Sequence, residues 1–301
     1  MANSRRDAVY IDVEDARLYF DTVGSQLEIS GERMRERRTL LVLHGGPGFD
    51  HSTLRPYFDR FADGYQVLYL DHRGNGRSTG ESESWTLAQW GRDVKCLCDR
   101  LGIERPVVYG NSFGGMVAMS YAKQFPEHPA KLILSSTAAR MHIDTTVALM
   151  LERGGERAGA VARRFWTQPD EQAMQEYLSV CLPLYNPKPN PEEASARSRT
   201  ILKPQVTRHF VLGEMRTMDA RAGLERIVCP TLILAGGYDP ITPAVCSQEI
   251  LDALAPGIGE MHVFPQAGHG VHRDEPAGAE RVMRQFLTGP AARMRPQPQG
   301  I

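Results

Sequence analysis

The sequence predicts an α/β protein: a mostly parallel sheet of about eight strands, flanked by helices and interrupted after the sixth strand by a helical insertion. Three observations predict it. Between residues 40 and 140, short apolar runs alternate with amphipathic stretches of helical period, the pattern of βαβ units. The pattern resumes after residue 230, and the interval 140–226 holds helical runs but no strand-like one. A chain of 301 residues also buries about three quarters of its unfolded surface, enough core to need no disulfide or metal staple.

Taken in order, AVYIDV and RLYFDT alternate apolar and polar residues around Glu14 and Asp15, so they form an antiparallel hairpin at the sheet edge. LLVLHG (40–45), QVLYLD (66–71), PVVYGN (106–111) and KLILSS (131–136) are the near-continuous apolar runs of strands covered on both faces. TLILAG (231–236) and MHVFP (261–265) complete the sheet. Between them, TTVALMLERGG and DEQAMQEYLSVCLPLY read as helices, broken by the proline-rich YNPKPNPEE (185–193). A structureless loop of that length is improbable in a compact domain, so the insertion has its own helical fold and caps the sheet. The division is a catalytic α/β unit over 1–139 and 227–288, a cap over 140–226, and a polar, proline-rich tail over 289–301.

Thirty-five basic against 36 acidic side chains leave a formal charge of −1, without the electrostatic footprint of a nucleic-acid binder or a polybasic membrane anchor. No apolar run approaches the roughly 18–20 residues that span a bilayer, and the first twenty residues read as mature sequence, which makes the cytoplasm the default location. The five cysteines are odd in number and lack C-x-x-C spacing, so they read as free, mostly buried thiols and not as a metal site. Neither metal nor cofactor is expected; the partner is a small-molecule substrate, and oligomeric state is not legible.

The sharpest chemical signal is Gly110-Asn111-Ser112-Phe113-Gly114, a G-x-S-x-G directly after a strand and before the helical run MVAMSYAKQF. That context describes a nucleophile elbow, whose tight turn exposes the serine Oγ. A serine hydroxyl is a weak nucleophile and needs a base, an acid that orients the base, and donors for the developing oxyanion. In chain order the acid follows a late strand, where Asp239 stands in AGGYDPITP; Asp144, after KLILSS, is its rival one strand earlier. The base follows the last strand. Of the two histidines in QAGHGVHRDEP, His269 is flanked by glycines that let its loop fold back over the sheet, whereas His272 opens the last helix. The oxyanion donors are the amides of Phe113 and, in HGGPG (44–48), Gly46.

Together HGGPG (44–48), DHRGNGRS (71–78), GNSFGG (110–115), GGYDPITP (236–243) and AGHGVHRDEP (267–276) resemble the proline iminopeptidase branch of the α/β-hydrolase fold, in the right order over 38–138 and 227–288. The resemblance implies a hydrolase core with a helical cap and carries Ser112, Asp239 and His269 over as the triad. It implies a bracing role for Asp71 and Arg73. Aminopeptidases of this branch hold the substrate's amino group with glutamates, one before a cap phenylalanine and one after the triad aspartate. Those positions here read as His209, before Phe210, and Pro240, with Glu214 as a substitute if the cap helix is rotated.

The reading is therefore a serine hydrolase of a small carboxylic ester, lactone or amide, with a proline iminopeptidase-type aminopeptidase as the alternative and a non-catalytic ligand-binding protein on the same fold behind both. Met150, Phe165, Trp166, Tyr177, Leu182 and Tyr185 supply the cap with apolar and aromatic side chains at helical spacing, which more often build a cap core than a pocket wall.

Overall fold

The computed structural model describes residues 9–188 and 191–289. The expected tail from 290 onward, residues 1–8 of the expected mature start, and residues 189–190 of the proline-rich break lie outside the described residues.

The strands are β1 (Tyr10–Val13), β2 (Ala16–Val23), β3 (Leu27–Ser30), β4 (Arg33–Glu36), β5 (Thr39–Leu43), β6 (Gln66–Leu70), β7 (Val107–Asn111), β8 (Lys131–Ser135), β9 (Thr231–Gly236) and β10 (Gly259–Phe264). Eight form one sheet in the order β1-β2-β6-β5-β7-β8-β9-β10. β1 and β2 make the expected antiparallel hairpin at its edge, and β2 runs antiparallel to β6. From β6 to β10 every neighbour is parallel.

Period-2 alternation splits the apolar strands between two cores. Leu41 and Leu43 point to the face covered by α1 (Leu87–Leu101) and α2 (Phe113–Gln124), whereas Leu40 and Val42 point to the face covered by Phe58, Phe61 and the last helix, Pro276–Thr288. All of β5, β7, β8 and β9 is buried, which is why these strands read as unbroken apolar runs. Full burial of each Leu or Val contributes about 1.5–3 kcal/mol, so the centre of the sheet is a rigid platform.

β3 and β4 were not expected. They form a separate two-stranded hairpin whose register, Ser30↔Arg33, leaves Gly31 and Glu32 as the turn, with Gly31 at φ 62°. Its apolar residues face solvent (Ile29 is 81% exposed and Met34 60%), so it has no buried face to print a pattern on the sequence.

Between β8 and β9 come α3 (Ile143–Thr167), α4 (Glu171–Val180), α5 (Pro191–Ser198) and α6 (Pro204–Leu212), and no strand among the described residues. α3 is two helices meeting at Gly155, whose φ of 72° only glycine adopts without strain. After β9 follow α7 (Ala244–Ala253), α8 (Val271–Asp274) and α9 (Pro276–Thr288). No helix among the described residues is long and apolar enough to cross a membrane. All five cysteines are free, and only Cys96 is less than fully buried.

Candidate active site

β7 ends at Asn111 and α2 begins at Phe113, which leaves Ser112 alone to turn the chain. Its backbone takes φ 52° and ψ −118°, a conformation that costs an L-residue on the order of 1–3 kcal/mol. Neighbouring elements hold it there. The Ser112 amide donates to the Ser135 carbonyl on β8 at 2.9 Å, and the Ser112 carbonyl accepts from Thr137 Oγ1 at 2.7 Å. The elbow glycines are required by contact: a Cβ at position 110 would stand 2.5 Å from the Gly114 carbonyl oxygen and 2.7 Å from Gly115 Cα.

Asp239 leaves the end of β9 and is buried. Its Oδ1 accepts the amides of Ile241 (2.8 Å) and Thr242 (2.9 Å), and its Oδ2 accepts Thr242 Oγ1 (2.9 Å) and His269 Nδ1 (2.8 Å). His269 follows β10, and its Nε2 lies 3.0 Å from Ser112 Oγ. An ionised carboxylate only accepts, so Nδ1 carries the proton and Nε2 faces the serine as the acceptor. The structure thus brings Ser112, His269 and Asp239 into one hydrogen-bonded line. Thr242, which sequence reasoning passed over, completes the carboxylate's shell; the only local signal was a hydroxyl three residues after the aspartate, the spacing of a capping turn.

Gly46 and Phe113 line the same pocket as Ser112, and neither amide donates to an acceptor among the described residues. Gly46 has φ 63°, and a Cβ there would stand 2.6 Å from the Phe49 ring. The loop carrying it is tied down on two sides: the Gly48 amide donates to Asn75 Oδ1 (2.5 Å), the Gly48 carbonyl accepts from the Lys203 amide (2.6 Å), and Thr207 Oγ1 donates to the Pro47 carbonyl. Asp71 and Arg73 are both engaged in buried hydrogen bonds, with His51 and with Asp93 of α1. Arg73 is fully buried and meets both Asp93 oxygens at 2.8 Å. Asp71 receives the His51 ring at 2.6 Å; burial alone would raise its pKa, but the hydrogen bond and charge of His51 outweigh that and hold it down to about 2.

The other sequence candidates stand elsewhere. Asp144 is solvent-exposed on the first turn of α3, 3.9 Å from Arg163. His272 is buried among Tyr57, Phe58 and Tyr109, with Nδ1 3.3 Å from the Tyr109 hydroxyl, and burial pushes its pKa well below the ordinary value. His209, considered for substrate binding, is exposed on the outer face of α6 against the edge of Trp85. Glu214 is committed to α1, where its Oε2 accepts the Leu87 amide at 2.7 Å. Both stand outside the pocket lining, and only Phe210 of that trio is in it, edge-on to Phe113 at 5.1 Å. The reason is helical geometry: successive residues of α6 turn by about 100°, so Phe210 and Val211 face inward while His209 faces out.

The pocket over Ser112 is walled by apolar and aromatic side chains, including Met116, Phe165, Trp166, Tyr177, Leu182 and Tyr185. Five of the six residues of the helical segment between β8 and β9 that read as more typical of a core therefore line it, and Met150 alone is wholly core. No aspartate or glutamate occurs among the described lining residues; the cations there are Arg197 and Arg273.

A family model described as the alpha/beta hydrolase fold matches residues 38–276. The chain belongs to the alpha/beta hydrolase fold family. It is 28% identical over 272 residues to a putative carbamate hydrolase RutD of Caulobacter sp. (strain K31), covering 88% of this chain and 96% of that one. It is 26% identical over 300 residues to a proline iminopeptidase of Levilactobacillus brevis, covering 92% and 97%. Among solved structures, the proline iminopeptidase of Mycobacterium smegmatis superimposes with a TM-score of 0.73 at 23% identity over 93% of this chain and 97% of that one, a likeness of fold. This hydrolase thus resembles the proline iminopeptidase branch, as its five motifs do.

Proposed function

We propose that the chain is a serine hydrolase that cleaves a small, uncharged carboxylic ester, lactone or amide through an acyl-enzyme, with 1–139 and 227–288 as the catalytic unit and 140–226 as the cap. The observation that carries the reading is the line Ser112 Oγ, His269 Nε2 (3.0 Å), His269 Nδ1, Asp239 Oδ2 (2.8 Å), opening into a pocket with no carboxylate among its described lining residues.

In this reading Ser112 Oγ attacks the substrate carbonyl as His269 Nε2 takes its proton. Negative charge gathers on the carbonyl oxygen, and the amides of Gly46 and Phe113, the latter at the positive N-terminus of α2, receive it. Asp239 holds the imidazole in the working tautomer and stabilises the imidazolium. His269 then protonates the leaving alcohol or amine, and a water activated by the same nitrogen releases the acid from Ser112.

The proline iminopeptidase-type aminopeptidase is the second reading, supported by 26% identity over 92% of this chain. It needs a counter-ion for an ammonium group, and closing such a group into a pocket forfeits several kcal/mol of hydration that a carboxylate must return.

A fluorophosphonate tests the proposal. One adduct is expected, on the peptide holding Ser112, together with turnover of a short-chain nitrophenyl ester; Ser112→Ala loses both. Undiminished labelling and turnover in that variant would overturn it.

A further inference from the structure

Three aromatic residues that carry polar atoms, Trp166, Tyr177 and Tyr185, line the cavity beside the apolar Met174, Leu178 and Leu182. Tyr177 and Tyr185 share a hydroxyl–hydroxyl hydrogen bond of 2.9 Å. The Trp166 ring stands edge-on to Tyr177 at 5.7 Å between centroids, and its buried Nε1–H has no partner within hydrogen-bond distance among the described residues. All three residues line the cavity that holds Ser112, and Tyr185 also lies edge-on to the His269 ring at 5.2 Å.

The donor count does not balance. Trp166 offers one N–H, and each tyrosine offers one O–H and one acceptor oxygen. In the tyrosine pair one hydroxyl donates and the other accepts, so the proton of the accepting hydroxyl is left over. Were the indole to donate to the Tyr177 oxygen and Tyr177 to Tyr185, the Tyr185 proton would still have no acceptor among the described residues. Trp166 and Tyr177 are more than nine-tenths buried and Tyr185 is half-buried, an environment in which an unmatched donor is costly. Phe165, stacked on Tyr177 at 4.0 Å, offers only a ring face.

We infer that the Trp166, Tyr177 and Tyr185 donors form a recognition site for an acceptor oxygen of the substrate, a ketone, ether or hydroxyl oxygen separate from the carbonyl attacked by Ser112. This deepens the hydrolase reading and rests on it for the position of the scissile group. The expected substrate is largely hydrocarbon, to match Met174, Leu178 and Leu182, with one such oxygen at the aromatic donors. Recognition of this kind discriminates well, because an all-hydrocarbon ligand leaves the buried donors unpaired.

Two series of esters test it. In one the alcohol is constant and a single acyl CH2 is replaced by C=O or O; in the other the acyl group is constant and the replacement is made in the alcohol. In at least one series the oxygenated ester should exceed its hydrocarbon match in kcat/KM by about tenfold, the worth of one buried hydrogen bond. That ratio should fall towards one in Tyr177→Phe, Tyr185→Phe or Trp166→Phe, each of which keeps the ring and removes only the donor. The series that shows the gain tells which half of the substrate carries the oxygen. A ratio near one in both series, or a ratio unchanged in all three variants, overturns the inference. Dissociation constants for the same pairs on Ser112→Ala keep the outcomes distinguishable. Absence of turnover with a tenfold preference in binding rejects the hydrolase reading and keeps the recognition site; turnover with no preference does the reverse.

Discussion

The backbone carbonyl of Tyr185, in the inserted helical segment, accepts the amide of His269 at 2.8 Å. The loop that presents the proposed base is therefore fastened to the segment that walls the pocket, and Asn186, next in the chain, reinforces the joint by donating to Asp274 Oδ2 at 2.8 Å. Gly268 makes the approach possible, since a Cβ there would overlap the Tyr185 carbonyl oxygen.

Gly268→Ala should therefore push the His269 loop away from Tyr185. A misplacement of about 1 Å at a catalytic group costs on the order of 10²-fold in rate, so kcat should fall by about that factor while the fluorophosphonate adduct on Ser112 still forms, more slowly. Steady-state kinetics with timed labelling checks it; a variant with wild-type kcat would show that the joint does not position the base.

The acid can be told apart from its rival by geometry alone. Asp239→Asn should lower kcat by about 10³–10⁴-fold, because the amide no longer holds the imidazole tautomer that leaves Nε2 free to accept. Asp144→Asn, on an exposed helix turn, should stay within about twofold of wild type. Kinetics on the two purified variants, with circular dichroism to verify folding, decides it.

His272 links stability to pH. Burial and the nearby charges of Arg273 and His269 keep its folded-state pKa well below the ordinary value, so below about pH 6.5 the unfolded chain binds a proton that the folded chain refuses. Stability is then complete above pH 6.5 and is lost as pH falls, at up to about 1.4 kcal/mol per unit for this group. His44 and His72, whose pKa values burial also lowers, add to the slope. His272→Leu should be less stable than wild type at pH 7.5, having lost its contact with the Tyr109 hydroxyl, but the gap should narrow at pH 5. Urea midpoints at the two pH values measure it; a gap that widens on acidification would mean the sign is wrong.

The wall of the pocket sets the preference among acyl groups. With one leaving group throughout, prolyl nitroanilide should be a poorer substrate than cyclopentanecarbonyl nitroanilide by about tenfold or more in kcat/KM, because no carboxylate among the described lining residues compensates an ammonium. A tenfold advantage for the free amine would transfer the protein to the aminopeptidase reading.

The strands, the elbow and the order of the site residues were legible because each depends on neighbours in sequence. Full burial on both faces makes β5, β7, β8 and β9 continuous apolar runs, and a serine that must turn between a strand and a helix needs glycines two residues to either side. The exposed hairpin of β3 and β4 left no such mark. His209, Phe210 and Glu214 show where sequence runs out. Which of them meets the pocket is set by the rotation of α6 about its axis, and that rotation is fixed by packing Phe210 on Phe113, almost a hundred positions away. The same holds for Tyr185 with His269, and for the unmatched donors of Trp166, Tyr177 and Tyr185. Local chemistry determined which residues could serve; the convergence of distant segments decided which of them face Ser112, because contacts between elements follow from how side chains fill the space between them and not from any periodicity within one.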